Sequence, residues 1–120
     1  MPILFIGLAF VISKYCFQLM MIQGESMEPT YHNYQIVILD KRQPKEYQVG
    51  DVIAFNCEGL NSNLVKRTEK VRFVEETGEL CYYVLGDNGD ASVDSRDERV
   101  GWISENQIFG KVMFPQKDRH

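Results

Sequence analysis

Histidine is scarce in this chain. Of 120 residues only His32 and His120 carry an imidazole, which leaves little room for histidine-based acid–base chemistry. His120 is the final residue, in a charged tail, and a fraying end is a poor seat for a base. His32 stands in a polar turn beside Tyr31 and Asn33 and reads as a solvated loop histidine. Cysteine is sparse as well. Cys16, Cys57 and Cys81 have no paired spacing, which argues against a zinc site and against a disulfide framework. A Cys57–Cys81 bridge stays open for an oxidising compartment, but buried free thiols are the simpler expectation. The chain has no Gly-rich phosphate loop, internal repeat or low-complexity tract. Its basic residues are scattered under a formal net charge of −4, so no nucleic-acid face is expected.

Long apolar runs are also few. Ile3 to Ile12 is apolar and is followed by Ser13, Lys14 and Tyr15. Ten helical residues cover roughly 15 Å, about half of a bilayer core near 30 Å. Extending the run to Ile22 gives the length but puts Lys14 near mid-span, at a cost of roughly 2.5–3.5 kcal/mol. Residues 1–14 are therefore read as an N-terminal membrane anchor, short or truncated. A cleaved signal peptide fits less well, because no basic residue precedes the run and no small-residue cleavage site follows it.

The remaining residues, 15–120, are enough for one domain and its core. Residues 16–23 form a dense apolar stretch, expected as a strand buried on both faces or covered by a ligand on one. Further strands are expected over residues 34–39, 52–55, 64–75, 80–85 and 108–114, separated by polar Gly-, Asn- and Pro-bearing turns. Asn88 and Gly89 are expected to form a turn with positive φ. Residues 86–99 make a polar loop of unusual length, which a chain this short seldom keeps without a use for it. Short strands at close spacing, with little helical periodicity, indicate a mainly β domain.

One feature carries chemistry. Gly24-Glu25-Ser26-Met27-Glu28-Pro29-Thr30 follows the first apolar strand, so that Ser26 is offered at a turn on a sheet edge. A hydroxyl alone is a poor nucleophile and needs a base. With histidine set aside, lysine is the other base known to serve such a serine. Lys66, in Leu64-Val65-Lys66-Arg67, follows two apolar residues on a strand that can carry it inward. It would have to be neutral, which desolvation can achieve in a buried site. Arg67 would then point away, toward an acid such as Asp94.

Four blocks occur in order: Ser26-Met27-Glu28-Pro29-Thr30, Gly50-Asp51-Val52-Ile53-Ala54-Phe55, Val65-Lys66-Arg67, and Gly86-Asp87-Asn88-Gly89-Asp90-Ala91-Ser92-Val93-Asp94-Ser95-Arg96. Together they closely resemble the type I signal peptidases, membrane-bound serine–lysine endopeptidases, and Gly101-Trp102-Ile103 extends the likeness. The resemblance implies a single catalytic domain of coiled antiparallel sheets, the signal peptidase / LexA-like β fold, after the anchor. It implies Ser26 as nucleophile, Lys66 as general base and Ser92 as the hydroxyl that orients the lysine. Asp87, Asp94 and Arg96 match positions that hold the loop near the site. The backbone N–H of Ser26 is the expected oxyanion donor. Some members place a serine two residues before the nucleophile, where this chain has Gly24.

Met20, Ile22, Ile53 and Val65 are apolar at positions suited to shallow pockets for an extended substrate with an Ala-x-Ala pattern. Signal-peptide-bearing preproteins and membrane lipid are the expected partners, and the chemistry calls for no cofactor or metal. The resemblance further implies a single-pass cell-membrane protein with its catalytic domain on the extracytoplasmic side. Two departures stand out. Thr68-Glu69-Lys70-Val71-Arg72 replaces a valine-rich stretch and a Gly-Leu-Pro-Gly-Asp turn, and Gly89 stands where an arginine often follows Gly-Asp-Asn. These point to a minimal catalytic core. Two other readings remain beside the peptidase: a non-cleaving peptide-binding or pilus-assembly module, and a self-cleaving repressor-type protease. The latter calls for a DNA-binding domain and an internal Ala-Gly site, which this sequence does not show.

Overall fold

In the computed structural model, residues 16–42, 46–89 and 92–117 are described. They form one antiparallel seven-stranded sheet in the order β1-β2-β7-β3-β4-β5-β6. The strands are β1 Phe17–Met21, β2 Ile36–Asp40, β3 Val52–Cys57, β4 Ser62–Val74, β5 Glu79–Leu85, β6 Ile103–Ser104 and β7 Ile108–Phe114. A mainly β domain is thus observed. The proposed anchor at residues 1–14 lies outside the described residues, among which no helix is long and apolar enough to cross a membrane. Cys16, Cys57 and Cys81 are free thiols, and the Cys57–Cys81 bridge does not form.

Two apolar clusters hold the sheet. One joins Ile22, Met27, Tyr31, Val37, Leu39, Ala54 and Val65, and so packs the turn after β1 against β2, β3 and β4. The other joins Ile53, Phe55, Tyr82, Val84, Ile103 and Ile108. β3 is buried on both faces, which explains its near-continuous run of Val52, Ile53, Ala54 and Phe55. β1 is different. It is an outer strand with no fully buried residue. Leu19 and Met21 on one face are exposed, and on the other Gln18 is exposed while Met20 is half-buried against the first cluster, so the expected strand buried on both faces is not observed. Leu19 and Met21 pair across the ladder with Ile38 and Ile36, and Ile38 pairs in turn with Phe114, so one face of β1, β2 and β7 is apolar and open.

β4 decides the shape of the site. Its first half, Ser62 to Arg67, pairs with β3, whereas from Arg67 onward it pairs with β5. The change of partner leaves residues 62–66 with one edge that has no ladder partner among the described strands. β1, at the end of the sheet, likewise has one edge with no ladder partner among the described strands. Sequence reasoning missed β6 and the short 3-10 turn Glu105–Gln107, which Ser104 and Gln107 close as a capping box. Neither element has an alternating pattern long enough to read.

Candidate active site

Ser26 sits in a turn that the sequence folds tightly. Ile22 N–H donates to the Gln35 carbonyl at 2.8 Å, and Tyr34 N–H returns to the Ile22 carbonyl at 2.6 Å, which fixes the base of the loop. Gly24 has φ +93°, a left-handed conformation that side chains disfavour, and its N–H donates to Asn33 Oδ1 at 2.8 Å. The positive φ explains why this position holds glycine, and its N–H is already engaged by Asn33. Met27, fully buried, nails the turn into the first core cluster. The Ser26 carbonyl accepts from Asn88 N–H at 2.7 Å, while Asn88 Nδ2 donates to the Glu25 carbonyl at 3.2 Å. Asn88 and Gly89 form no positive-φ turn, contrary to the sequence expectation. What the Gly-Asp-Asn block supplies here is a grip on the serine backbone.

Lys66 projects from the first half of β4 and is 3% exposed. Burial lowers its pKa to about 8; Asp94 opposes the shift and Arg96 assists it. Its Nζ donates to Ser92 Oγ at 3.3 Å, and Ser92 Oγ donates to Asp94 Oδ2 at 2.8 Å. Burial would raise the Asp94 carboxyl, but hydrogen bonds from Arg96, the Gly86 N–H and Ser92 outweigh it and hold the pKa at about 2. Asp94 therefore stays ionised and fixes the direction of the Ser92 hydroxyl. Gly86 closes the arrangement. A Cβ built there would collide with Ser92 Oγ and come within 2.6 Å of the Ser26 carbonyl oxygen. The serine backbone and the lysine's hydroxyl partner thus meet over a residue that has no room for a side chain.

Arg67 does not reach for Asp94. Its guanidinium pairs with Asp87 through two bonds of 2.9 Å, with both side chains almost wholly buried, while Asp94 pairs with Arg96. Alternation along β4 turns Lys66 and Arg67 to opposite faces, and on its own face Arg67 meets Asp87. His32 is an exposed loop residue, 3.5 Å from the Glu28 carboxylate.

Ser26 and Lys66 line one cavity of about 470 Å³, which runs between residues 20–26 and residues 62–66, with Val93 at its side. Met20, Ile22 and Val65 line it as well. Ile53 does not. It is fully buried in the second core cluster and stands opposite Lys66 in the β3–β4 ladder. Directly paired side chains point to the same face with Cβ atoms about 5 Å apart, so Ile53 walls the aliphatic stem of Lys66 and contributes to its desolvation. An arrangement of this kind, a hydroxyl and a buried amine of lowered pKa on one cavity between free strand edges, suits hydrolysis of an extended peptide.

The family model described as "Signal peptidase, peptidase S26" matches residues 1–71 and 69–116. The chain belongs to the signal peptidase family, peptidase S26. Among individual relatives, it is 27% identical to the signal peptidase complex catalytic subunit SEC11C of Homo sapiens over 90 residues, covering 72% of this chain. It spans only 45% of that relative's length. It is 26% identical to signal peptidase I P of Bacillus subtilis subsp. natto, covering 90% of this chain and 83% of the relative. That alignment runs over 154 positions, more than the 120 residues here, so the relative holds stretches with no counterpart in this chain. The two matched stretches of the family model meet at residues 69–71, inside β4, where Thr68-Glu69-Lys70-Val71-Arg72 departs from the bacterial pattern.

Three residues of this site carried no clear role in the sequence. Gly86 and Asn88 were visible as members of a motif, but their contacts with Ser26 depend on how the loop folds back. Tyr31 gave no signal at all beyond being aromatic in a polar turn.

Proposed function

We propose that this chain is a membrane-associated serine endopeptidase that removes N-terminal signal peptides from exported preproteins after Ala-x-Ala-like sites. Residues 1–14 form its single-pass anchor, and residues 15–120 form the catalytic domain on the extracytoplasmic side. The observation that carries this reading is the buried Lys66, with a pKa lowered to about 8, on the same cavity as Ser26.

Ser26 Oγ attacks the scissile carbonyl as Lys66 Nζ takes its proton. The oxyanion of the tetrahedral intermediate accepts from the Ser26 backbone N–H. Lys66, now an ammonium, passes the proton to the leaving amine, and the acyl group stays on Ser26. A water then attacks the ester, giving a proton to Lys66; as the acid product leaves, Lys66 returns that proton to Ser26 Oγ, which restores the hydroxyl and the neutral amine. Ser92 directs the lysine, with ionised Asp94 behind it. The substrate lies extended between the free edges of β1 and of residues 62–66, adding main-chain hydrogen bonds to each, while Met20, Ile22 and Val65 shape shallow apolar pockets. The open apolar face bearing Leu19, Met21, Ile36 and Phe114 supports contact with membrane lipid near the anchor.

The test is cleavage of a peptide with an Ala-x-Ala site in detergent, with the cut located by mass spectrometry. The active form is the neutral amine, so activity appears as pH rises through the lowered pKa of about 8. Between pH 7 and the plateau kcat/KM is expected to rise about tenfold along one ionisation. A rate independent of pH from 6 to 10, or a cut elsewhere than after the small-residue site, contradicts the reading. Tight binding of the peptide without any cleavage favours the non-cleaving module instead.

A further inference from the structure

The strand β7 is followed by residues 115–117, which run back across the turn that bears Ser26. Tyr31 belongs to that turn; its N–H donates to the Met27 carbonyl at 2.9 Å, and its side chain is 1% exposed. The Tyr31 hydroxyl donates to the Pro115 carbonyl at 2.6 Å and accepts from Lys117 N–H at 3.2 Å. The Lys117 ammonium lies 5.6 Å from the centre of the Tyr31 ring. The same segment also reaches β4. The Lys117 carbonyl accepts from Arg67 Nη2 at 3.0 Å, and Arg67 Nη1 donates to the Gly50 carbonyl at 2.9 Å. Tyr31, Gly50 and Lys117 border a separate cavity of about 170 Å³.

These contacts close a ring. It runs from Ser26 through its turn to Tyr31, then through residues 115–117 to Arg67, the neighbour of Lys66. From Arg67 it passes to Asp87, whose neighbour Asn88 holds the Ser26 carbonyl. The two chemical groups sit on separate parts of the chain, a turn after β1 and the middle of β4. Any slack between those parts is slack between nucleophile and base. Displacement of a reacting group by about 1 Å can cost on the order of 10²-fold in rate.

We propose that residues 115–117 are a clamp that fixes the spacing of Ser26 and Lys66, with Tyr31 and Arg67 as the positioning residues it joins. This rests on the serine–lysine reading of the site. The Tyr31 hydroxyl touches no reacting atom and acts through the turn. Its loss removes the hydrogen bonds to Pro115 and Lys117 but leaves the buried ring in place, so the fold survives while the spacing relaxes. Relaxation admits water to Lys66 and lets its pKa drift up toward the ordinary lysine value.

The experiment uses the full chain with an Ala-x-Ala peptide and compares wild type, Tyr31→Phe, a chain ending at Phe114, and the two changes combined. Tyr31→Phe is expected to lower kcat about tenfold, or ~1.4 kcal/mol, with KM within about twofold. The midpoint of its kcat/KM profile is expected to lie higher than the wild-type midpoint. In the shortened chain Tyr31→Phe is expected to add less than about twofold, because both changes open the same clamp. Should the shortened chain fail to fold, the midpoint and kcat of full-length Tyr31→Phe decide the matter. An unchanged kcat and midpoint in Tyr31→Phe overturns the clamp. So does a loss of activity that merely follows the unfolded fraction seen by circular dichroism, at an unchanged midpoint. Ser26→Ala, run alongside, separates the two levels. If it cleaves as fast as wild type, the serine–lysine reading itself is wrong and the clamp has nothing to position. If it is inactive and Tyr31→Phe is normal, only the clamp is wrong.

Discussion

Ser26→Ala and Lys66→Ala are each expected to lower kcat by about 10⁴-fold or more, and the double variant to be no worse than either single one. In serine hydrolases of known mechanism the nucleophile and its base act largely as one unit, and removing either can cost about as much as removing both. The same follows here if Ser26 depends wholly on Lys66 for deprotonation. His32, exposed and near Glu28, offers no substitute. The fold should not suffer with the activity. Lys66 has a folded pKa of about 8 against an ordinary value of 10.5, so the fold binds fewer protons than the unfolded chain between those values. Stability of the wild type then rises with pH across that window, and below it the buried ammonium exerts its full penalty. Lys66→Met is therefore expected to be more stable than wild type at pH 7, with the advantage fading as pH approaches 10.5. Thermal melts of both proteins at several pH values measure this. Inactivity in a destabilised Lys66→Met protein would instead point to a structural role for the lysine.

Gly86→Ala should be nearly as damaging, although it adds one methyl group and removes nothing. The new Cβ would meet Ser92 Oγ, Ser92 Cβ and the Ser26 carbonyl oxygen. Ser92 could rotate away, but then Lys66 loses its hydroxyl partner. The Ser26 carbonyl is backbone and is held by Asn88, so relief on that side moves Ser26 itself. Either response displaces a group that must be in place, and a loss of about 10²-fold in kcat is expected, with KM less affected. Kinetics of Gly86→Ala beside Ser92→Ala distinguishes the two routes. If the alanine acts only by displacing Ser92, both variants fall equally; if Ser26 moves as well, Gly86→Ala falls further.

Much of the site was legible because its parts lie in contiguous blocks. Ser26, Lys66 and Ser92 each stand in a short motif with a local reason for its shape: a turn after an apolar strand, a lysine inside an apolar ladder, a polar loop of unusual length. The partners of those residues were less legible. Arg67 was expected to face Asp94, but its pairing with Asp87 depends on the path of the loop and on the parity of β4. Ile53 looked like a pocket residue because it is apolar and near the motif. Its place opposite Lys66 puts it beneath the lysine, in the core. The exposure of β1 was not anticipated: its apolar run reads as a buried strand, yet Leu19 and Met21 stay exposed and only Met20 packs partly against the core. The contacts of Tyr31 with residues 115–117 join positions 84 and 86 apart in sequence, and no local pattern announces such pairs.

The most direct measurement is the titration of Lys66 itself. In a protein labelled with ¹⁵N at the lysine side chains, the Lys66 resonance is assigned by its absence from Lys66→Ala and followed from pH 6 to 11. A midpoint near 8, lower than that of the exposed lysines, is the expected result, and it should coincide with the midpoint of kcat/KM for peptide cleavage. A Lys66 midpoint near 10.5, or a rate profile that ignores it, would contradict a neutral lysine as the base for Ser26.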